Sequence, residues 1–247
     1  MRKTMLTMSW DDGSIHDLRL ADLLSKYNLA STFYIPKNNI EGIPVLPIRE
    51  IKELSNNFEI GAHTINHTRL NTLPRDQTKY QIKGSKNWLE DLTGKSIYGF
   101  CYPGGRYDKN IIEDVKEAGF FYSRTIENFR NEISNLHEMP TTLQFFNHKN
   151  YVLLANILKS KNSFKKLSNY HPILKINTLI KKLEYILDYS INNNISYIHF
   201  WGHSWELDLY DQWDFMEDFF KILREREQLF SFKTNFQCAF EKSKDHF

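Results

Sequence analysis

The sequence predicts an α/β fold in which a parallel sheet of about seven strands is covered by helices. Two observations favour this class. Strand-like and helix-like segments alternate along the 247 residues, and a 41% hydrophobic content suffices for one large core. We therefore expect a single domain over residues 1–247. Alternation alone leaves open whether the sheet is doubly wound or closed into a barrel.

The N-terminal segments predict a βαβ unit that the following segments extend. Strand-like Met5–Trp10 and Leu29–Pro36 flank Ile15–Tyr27, whose apolar residues recur at helical spacing. A helix at Pro47–Ser55 and a strand at Asn57–Thr64 follow. The alternation therefore starts at the first residues of the chain.

The remaining segments repeat the pattern, with one less regular stretch after residue 125. Gly94 should end a helix, and Thr234 should cap the closing one. In chain order, the predicted elements are helix Arg75–Leu92, strand Ser96–Pro103, helix Lys109–Gly119, strand Phe120–Thr125, helix Ile173–Ser190, strand Ser196–His203, helix Gln212–Glu227, strand Leu229–Phe232 and a final helix.

Composition excludes several function classes. The 32 basic and 30 acidic residues leave a net charge of +2, so no whole-molecule field favours nucleic acid or a membrane surface. Two cysteines, Cys101 and Cys238, are too few for a disulfide framework. No apolar run is long enough to span a bilayer or to form a signal peptide at the N-terminus. We expect a cytoplasmic protein without a transmembrane segment.

Polar clusters follow five of the predicted strands. They are SWDDG, GAHTINHTRL, YPGGRYD, SRTIEN and WGHSWELD. Because β/α folds assemble their sites at the carboxyl ends of strands, these clusters should share one pocket. A dinucleotide fingerprint and a phosphate-binding GxxxxGK[ST] loop are both missing from the sequence, which disfavours nucleotide binding.

Two histidines and an aspartate predict a metal site. His63 and His67 are four residues apart, a spacing that places both rings on one side of a helical turn or tight loop. A catalytic zinc usually takes three protein ligands, and Asp12 is the natural third. Asp11 remains next to it as a carboxylate that could take a proton from metal-bound water. A cation would also offset the repulsion between the two adjacent aspartates.

These residues resemble motifs of the polysaccharide deacetylase family, the NodB-homology domains of carbohydrate esterase family 4. SWDDG and HTINH resemble its first two motifs, FCYPGG stands in the place of the third, and HFWGH stands in the place of the last. The resemblance implies a distorted (β/α) barrel with about seven parallel strands. It also implies a metal-dependent hydrolase acting on C–N bonds other than peptide bonds, most often with Zn2+, which removes N-acetyl groups from amino sugars or glycan precursors.

The resemblance also implies residue roles. Asp11 would be the base; Asp12, His63 and His67 would hold the metal; and His203 would be the acid that protonates the leaving amine. By its position in the third motif, the backbone N–H of Gly104 would stabilise the oxyanion. The assignment from ligand chemistry and the assignment from the resemblance thus agree on the metal ligands and the base.

The third motif departs from the family pattern. The arginine that commonly orients the base, two residues before the motif's proline, is Cys101 here. Arg124, at the end of the next strand, could replace it, with Arg106 as the competing candidate. If Arg124 does not orient the base, its alternative role is a surface ion pair with Glu127.

The fourth motif is also unclear, because the aspartate that positions the acid histidine is not evident between Thr125 and Pro140. Glu127 is the nearest carboxylate. His199 shares a strand face with His203. We favour His203 as the acid, because it lies at the strand end after Gly202, and expect His199 to be a buried, hydrogen-bonded residue.

Aromatic and basic side chains predict the substrate class. Tyr102, Trp201 and Trp205 lie near the proposed site and suit pyranose rings, and Arg106 is a further substrate contact. Seven lysines between residues 158 and 184 suggest a phosphate-bearing sugar or oligosaccharide precursor, although such lysines are more often simply solvated. Two alternatives stay open: an amidohydrolase or deformylase of the same fold, and a catalytically silent carbohydrate-binding domain.

Overall fold

The computed structural model describes residues 3–159 and 163–244 of the chain. Within these ranges, eight strands all pair in parallel. They are β1 (Thr4–Asp11), β2 (Thr32–Ile35), β3 (Glu59–Ala62), β4 (Gly99–Cys101), β5 (Tyr122–Arg124), β6 (Leu143–Gln144), β7 (Tyr197–Gly202) and β8 (Phe230–Lys233). Seven of them run in the order β5-β4-β3-β2-β1-β7-β6, and β8 pairs with β1. The predicted parallel α/β class is confirmed.

Strand β1 lies at the centre of the sheet, and all eight of its residues are buried. It pairs with β7 along one edge; along the other it pairs with β8 near its start and with β2 near its end. Its apolar residues, Met5, Leu6, Met8 and Trp10, pack in the core. The Thr4 hydroxyl donates to Ile195 O at 2.7 Å, and the Thr7 and Ser9 hydroxyls bond to the ring nitrogens of His199. Its last residue, Asp11, is still buried and lies at the carboxyl edge of the sheet, between the ends of β2 and β7.

The segment from Met139 to Phe145 brings the two ends of the sheet together. Met139 N donates to Ser123 O on the β5 side at 2.9 Å, and Thr142 N donates to His199 O on the β7 side at 2.7 Å. These bonds on both flanks curl the sheet into a distorted barrel, as expected. The short strand β6 lies in this segment, within the stretch whose sequence is irregular.

Helices cover the strands. They are α1 (Asp17–Lys26), α2 (Ile48–Leu54), α3 (Arg75–Thr93), α4 (Lys109–Glu117), α5 (Asn150–Lys159), α6 (Ser163–Tyr170), α7 (Leu179–Asn192), α8 (Ser204–Leu209), α9 (Trp213–Glu225) and α10 (Asn235–Lys244). Gly94 ends α3 with φ +68°, and the Thr234 hydroxyl accepts a hydrogen bond from Gln237 N at the start of α10. Both predicted helix boundaries are confirmed.

Three helices and one boundary differ from the prediction. The predicted helix Ile173–Ser190 begins only at Leu179, because Thr178 is extended and residues 171–175 form a separate 3₁₀ turn. The sequence pattern did not indicate α5, α6 or α8. None of the helices in the described ranges combines the length and the apolar character needed to cross a membrane.

Candidate metal and catalytic site

The polar strand ends meet on one side of the barrel. Asp11 ends β1, His63 follows β3, Cys101 ends β4, Arg124 ends β5 and His203 follows β7. Cys101 and Arg124 are register partners on neighbouring strands. The structure thus brings the predicted catalytic and metal-binding residues together.

Asp12, His63 and His67 form a compact buried cluster. Asp12 Oδ1 lies 3.2 Å from His67 Nε2 and 3.7 Å from His63 Nε2. One ligand atom from each residue lies within 4.8 Å of the other two. Three donors at these separations can all contact one cation at the usual bond lengths of about 2.0–2.2 Å.

The backbone around the cluster is unusual. Asp12, Thr64 and His67 have φ values of 80°, 67° and 53°, a region that side chains other than glycine seldom adopt. Each such residue costs roughly 1–3 kcal/mol and tends to occur at functional sites. The HTINH motif therefore forms a tight loop, which Gln81 holds by accepting from the Ile65 and Asn66 amides at 3.0 Å each.

The hydrogen bonds of the cluster fit a bound divalent cation. His63 Nδ1 donates to the Cys101 carbonyl at 2.8 Å, which leaves Nε2 as a lone-pair donor facing Asp12. Burial, together with the charge of His67, lowers the pKa of His63 to about 4, so the ring is neutral. Asp12 Oδ1 is buried without a hydrogen-bond partner, an arrangement that is costly unless a cation satisfies the oxygen. Asp12 Oδ2 accepts from the Trp205 indole at 2.9 Å.

A second trio, formed by Asp11, His63 and Cys101, has similar spacing but the wrong charges for a cation. The guanidinium of Arg124 already pairs with Asp11. Burial raises the pKa of the Cys101 thiol well above its ordinary value, so the sulfur stays protonated and approaches Asp11 Oδ2 at 3.6 Å. The cluster that contains Asp12 is the better metal site.

Arg124 is the arginine that reaches Asp11. Its Nη2 donates to Asp11 Oδ1, and its guanidinium carbon lies 5.1 Å from the ring centroids of both Tyr34 and Trp201. Burial is the largest single effect and opposes ionisation of Asp11, but the charges of Arg124, His63 and His203 and the hydrogen bond from Arg124 together outweigh it and lower the pKa of Asp11. The competing candidate, Arg106, is exposed. Asp11 is therefore an ionised carboxylate that the buried guanidinium of Arg124 holds in place.

His203 faces the cluster, whereas His199 does not. His203 Nε2 lies 3.9 Å from Asp12 Oδ2, and its Nδ1 donates to Glu206 Oε2 at 2.8 Å. Burial disfavours the protonated ring, but Glu206 and Asp12 outweigh it and raise the pKa of His203 to about 9. His199 is fully buried between the Thr7 and Ser9 hydroxyls, at 2.6 and 2.9 Å. Burial lowers its pKa well below the ordinary value, as befits a neutral hydrogen-bonded residue of the core.

The predicted substrate contacts lie in different environments. Tyr102 is fully buried, and its hydroxyl donates to His137 O at 3.0 Å, so its ring packs in the core. Trp201 is buried and donates to Asn128, whereas Trp205 is half-buried and supports Asp12. Gly104, with φ +59°, and Arg106 are exposed. The substrate-contact roles of these five residues stay predictions.

Sequence reasoning missed Glu206 and the Asp12 contact of Trp205. The signal for Glu206 was its position three residues after His203: His203 is the residue that caps α8, and a glutamate at the third position of a helix commonly reaches back to the capping residue. The role of Trp205 had no such signal, since its indole reaches across to the end of another strand.

Comparison with known proteins supports the resemblance stated from the motifs. The polysaccharide deacetylase family model matches residues 1–123. The chain is 26% identical over 118 residues to the peptidoglycan-N-acetylglucosamine deacetylase of Bacillus cereus, a match that covers 47% of this chain and 54% of that protein. The chain spans between 38% and 54% of the length of the curated relatives that it matches.

Solved structures share the fold over the whole chain. A Mycobacterium smegmatis protein assigned to the polysaccharide deacetylases superposes with a TM-score of 0.69 at 14% identity, over 100% of this chain and 93% of that one. The chitin deacetylase of Colletotrichum lindemuthianum superposes with a TM-score of 0.59 at 15% identity, over 96% of this chain and 88% of that one. Asp11, Asp12, His63 and His67 all lie in the segment that the family model matches, and over that segment, residues 1–123, the chain is similar to the polysaccharide deacetylase family.

Proposed function

We propose that this chain is a divalent-metal-dependent hydrolase that removes the N-acetyl group from an amino sugar of a glycan or glycan precursor. The observation that carries the proposal is the buried trio of Asp12, His63 and His67, with an unsatisfied carboxylate oxygen, next to an ionised Asp11 and to His203. Similarity to the family and the names of the similar proteins support the acetylated glycan as substrate class.

Each site residue then has a chemical task. Asp12, His63 and His67 would hold the cation, and a set of two imidazoles and one carboxylate favours Zn2+. When bound, the cation supplies a Lewis acid that polarises the acetamide carbonyl and acidifies water. Asp11, held by Arg124, takes the proton of the attacking water. The Nε2 of His203 gives a proton to the departing nitrogen, so water is added across the C–N bond to yield acetate and an amine.

Other groups shape the site around these steps. The exposed backbone at Gly104 is our candidate donor to the oxyanion that develops on the carbonyl oxygen. Trp205 fixes the orientation of Asp12 through its indole N–H.

Recognition of a phosphate-bearing substrate stays a prediction. The side chains of Lys159, Lys161, Lys165 and Lys166 lie outside the described residues. Within the described part of this segment, Lys182 is buried and donates to Asn147 Oδ1 at 3.0 Å, and Lys181 pairs with Glu184. These contacts give no support for a phosphate site. The cytoplasmic location expected from the sequence also stays a prediction.

Acetate release with and without metal tests the proposed function. We expect the Zn2+-loaded protein to release acetate from N-acetylglucosamine oligomers or peptidoglycan fragments, to stop when a chelator removes the metal, and to recover when Zn2+ is returned. Formamides and simple acetamides are tested in parallel. Faster hydrolysis of these substrates would indicate an amidohydrolase or deformylase instead of a sugar deacetylase. Zn2+-loaded protein that binds these glycans without releasing acetate would instead support the silent binding domain. Release that persists in chelator would contradict metal dependence.

A further inference from the structure

A buried carboxylate lies behind the proposed acid. Glu206 is only 8% exposed, although it belongs to the short helix α8 at the edge of the site. Its Oε2 accepts the N–H of His203 Nδ1 at 2.8 Å. Because this bond fixes the tautomer and the plane of the ring, the other nitrogen, Nε2, points toward the metal-binding cluster.

Two further side chains hold Glu206 in place. Gln144 Nε2 donates to the same Oε2 atom at 3.3 Å, and Gln144 Oε1 accepts from His148 Nε2 at 2.8 Å. Gln144 lies in β6 and is the register partner of Trp201, two residues before His203. The chain of hydrogen bonds therefore joins His203 and Glu206 to Gln144 and His148, all outside the segment matched by the family model.

We propose that Glu206 is the positioning residue for the acid His203, with Gln144 fixing the rotamer of Glu206. This inference rests on the proposed deacetylase function. The resemblance would place the carboxylate that positions the acid in a separate motif. In this chain the helix that follows His203 supplies it. The placement explains why no such aspartate is evident between Thr125 and Pro140: the carboxylate comes from Glu206, three residues after the acid on the same local segment.

A purely structural role for Glu206 makes a different prediction from a role in proton delivery. An acetamide must have its nitrogen protonated before it leaves, whereas 4-nitrophenyl acetate releases a phenolate that is stable as an anion. Loss of an acid's positioning residue should therefore slow amide cleavage selectively. A general loss of structure would slow both substrates alike.

The test compares Glu206→Gln with wild type on an N-acetylglucosamine oligomer and on 4-nitrophenyl acetate, both with Zn2+. We expect kcat on the amide to fall by about 10²-fold, the usual worth of a general acid, with KM little changed. On the aryl ester we expect a fall of less than about 3-fold, because no acid is required there. Asp208→Asn, on the same helix but 45% exposed and directed at His16, is the matched control and should keep both activities.

Gln144→Ala is the second variant, in case Glu206→Gln does not fold. It should lower amide turnover by a smaller factor and leave the ester rate unchanged. Equal losses on both substrates, or full amide turnover in Glu206→Gln, would overturn the inference while leaving the proposed function intact. Absence of acetate release by the wild-type protein would instead refute the proposed function, and the inference would fall with it.

Discussion

Asp11→Asn is expected to lower kcat for acetate release from an N-acetylated sugar by about 10³-fold, within the range for loss of a general base. The asparagine amide can still accept the hydrogen bond of Arg124, but it cannot take a proton from water. Asp11 is ionised in the structure because Arg124, together with the charges of His63 and His203, outweighs the effect of burial on its pKa. The loss should fall on kcat, because Asp11 has no part in binding the sugar in this account.

The matched control for this variant is Asp17→Asn. Asp17 is also fully buried near the site, but burial raises its pKa well above the ordinary value, which favours its neutral form. Its Oδ1 accepts the Ser204 hydroxyl at 2.6 Å, a bond that asparagine can keep. We expect turnover close to wild type. An Asp11→Asn enzyme that retains more than about a tenth of wild-type kcat would show that Asp11 is not the general base.

Arg124→Ala is expected to cost about 3–5 kcal/mol of unfolding free energy, because it leaves the buried carboxylate of Asp11 without its partner. Urea denaturation would measure this loss. We also expect kcat to fall by about 10²-fold, since the base is then free to change its orientation and its protonation state. Full turnover by the variant would show that Arg124 is not needed to hold Asp11 as the base.

A double substitution separates the position of the guanidinium from its function. Cys101 and Arg124 are register partners on neighbouring strands, and both contact Asp11. The pair Cys101→Arg, Arg124→Cys moves the guanidinium to the position where the family motif commonly has it. We expect this protein to regain a large part of the turnover and stability lost in Arg124→Ala. Failure to recover either would indicate that the packing of Arg124 between Tyr34 and Trp201 is itself required.

The sequence predicted the first half of the fold well because its strands are apolar and its helices are clearly bounded. Gly94 marks the end of α3 in the structure, and in the second half Thr234 marks the start of α10. The strand β6 could not be predicted, because a two-residue strand has no periodicity and exists through its pairing with β7. The late start of α7 was missed because the apolar residues before Thr178 continue the helical pattern while the backbone does not.

The site was largely predictable for one physical reason: parallel strands place their carboxyl ends together. That rule, together with the four-residue spacing of His63 and His67, grouped these two histidines with Asp12. It also suggested Arg124 as the partner of Asp11, a contact that the structure contains. It could not reveal which side chains behind the site residues support them, because those contacts join segments that are distant in sequence. The bond between Gln144 and Glu206, 62 residues apart, is an example.

The most direct test of the central claim is the cation stoichiometry of the purified protein, measured by calorimetric titration of the metal-free form with Zn2+. We predict a single tight equivalent for wild type, and at least about 100-fold weaker binding for His67→Ala, because one of three ligands is lost. His171→Ala, which removes an exposed histidine outside the cluster, should bind like wild type. Wild-type protein that binds no cation, or His67→Ala that binds as tightly as wild type, would contradict the metal site on which the proposed hydrolysis depends.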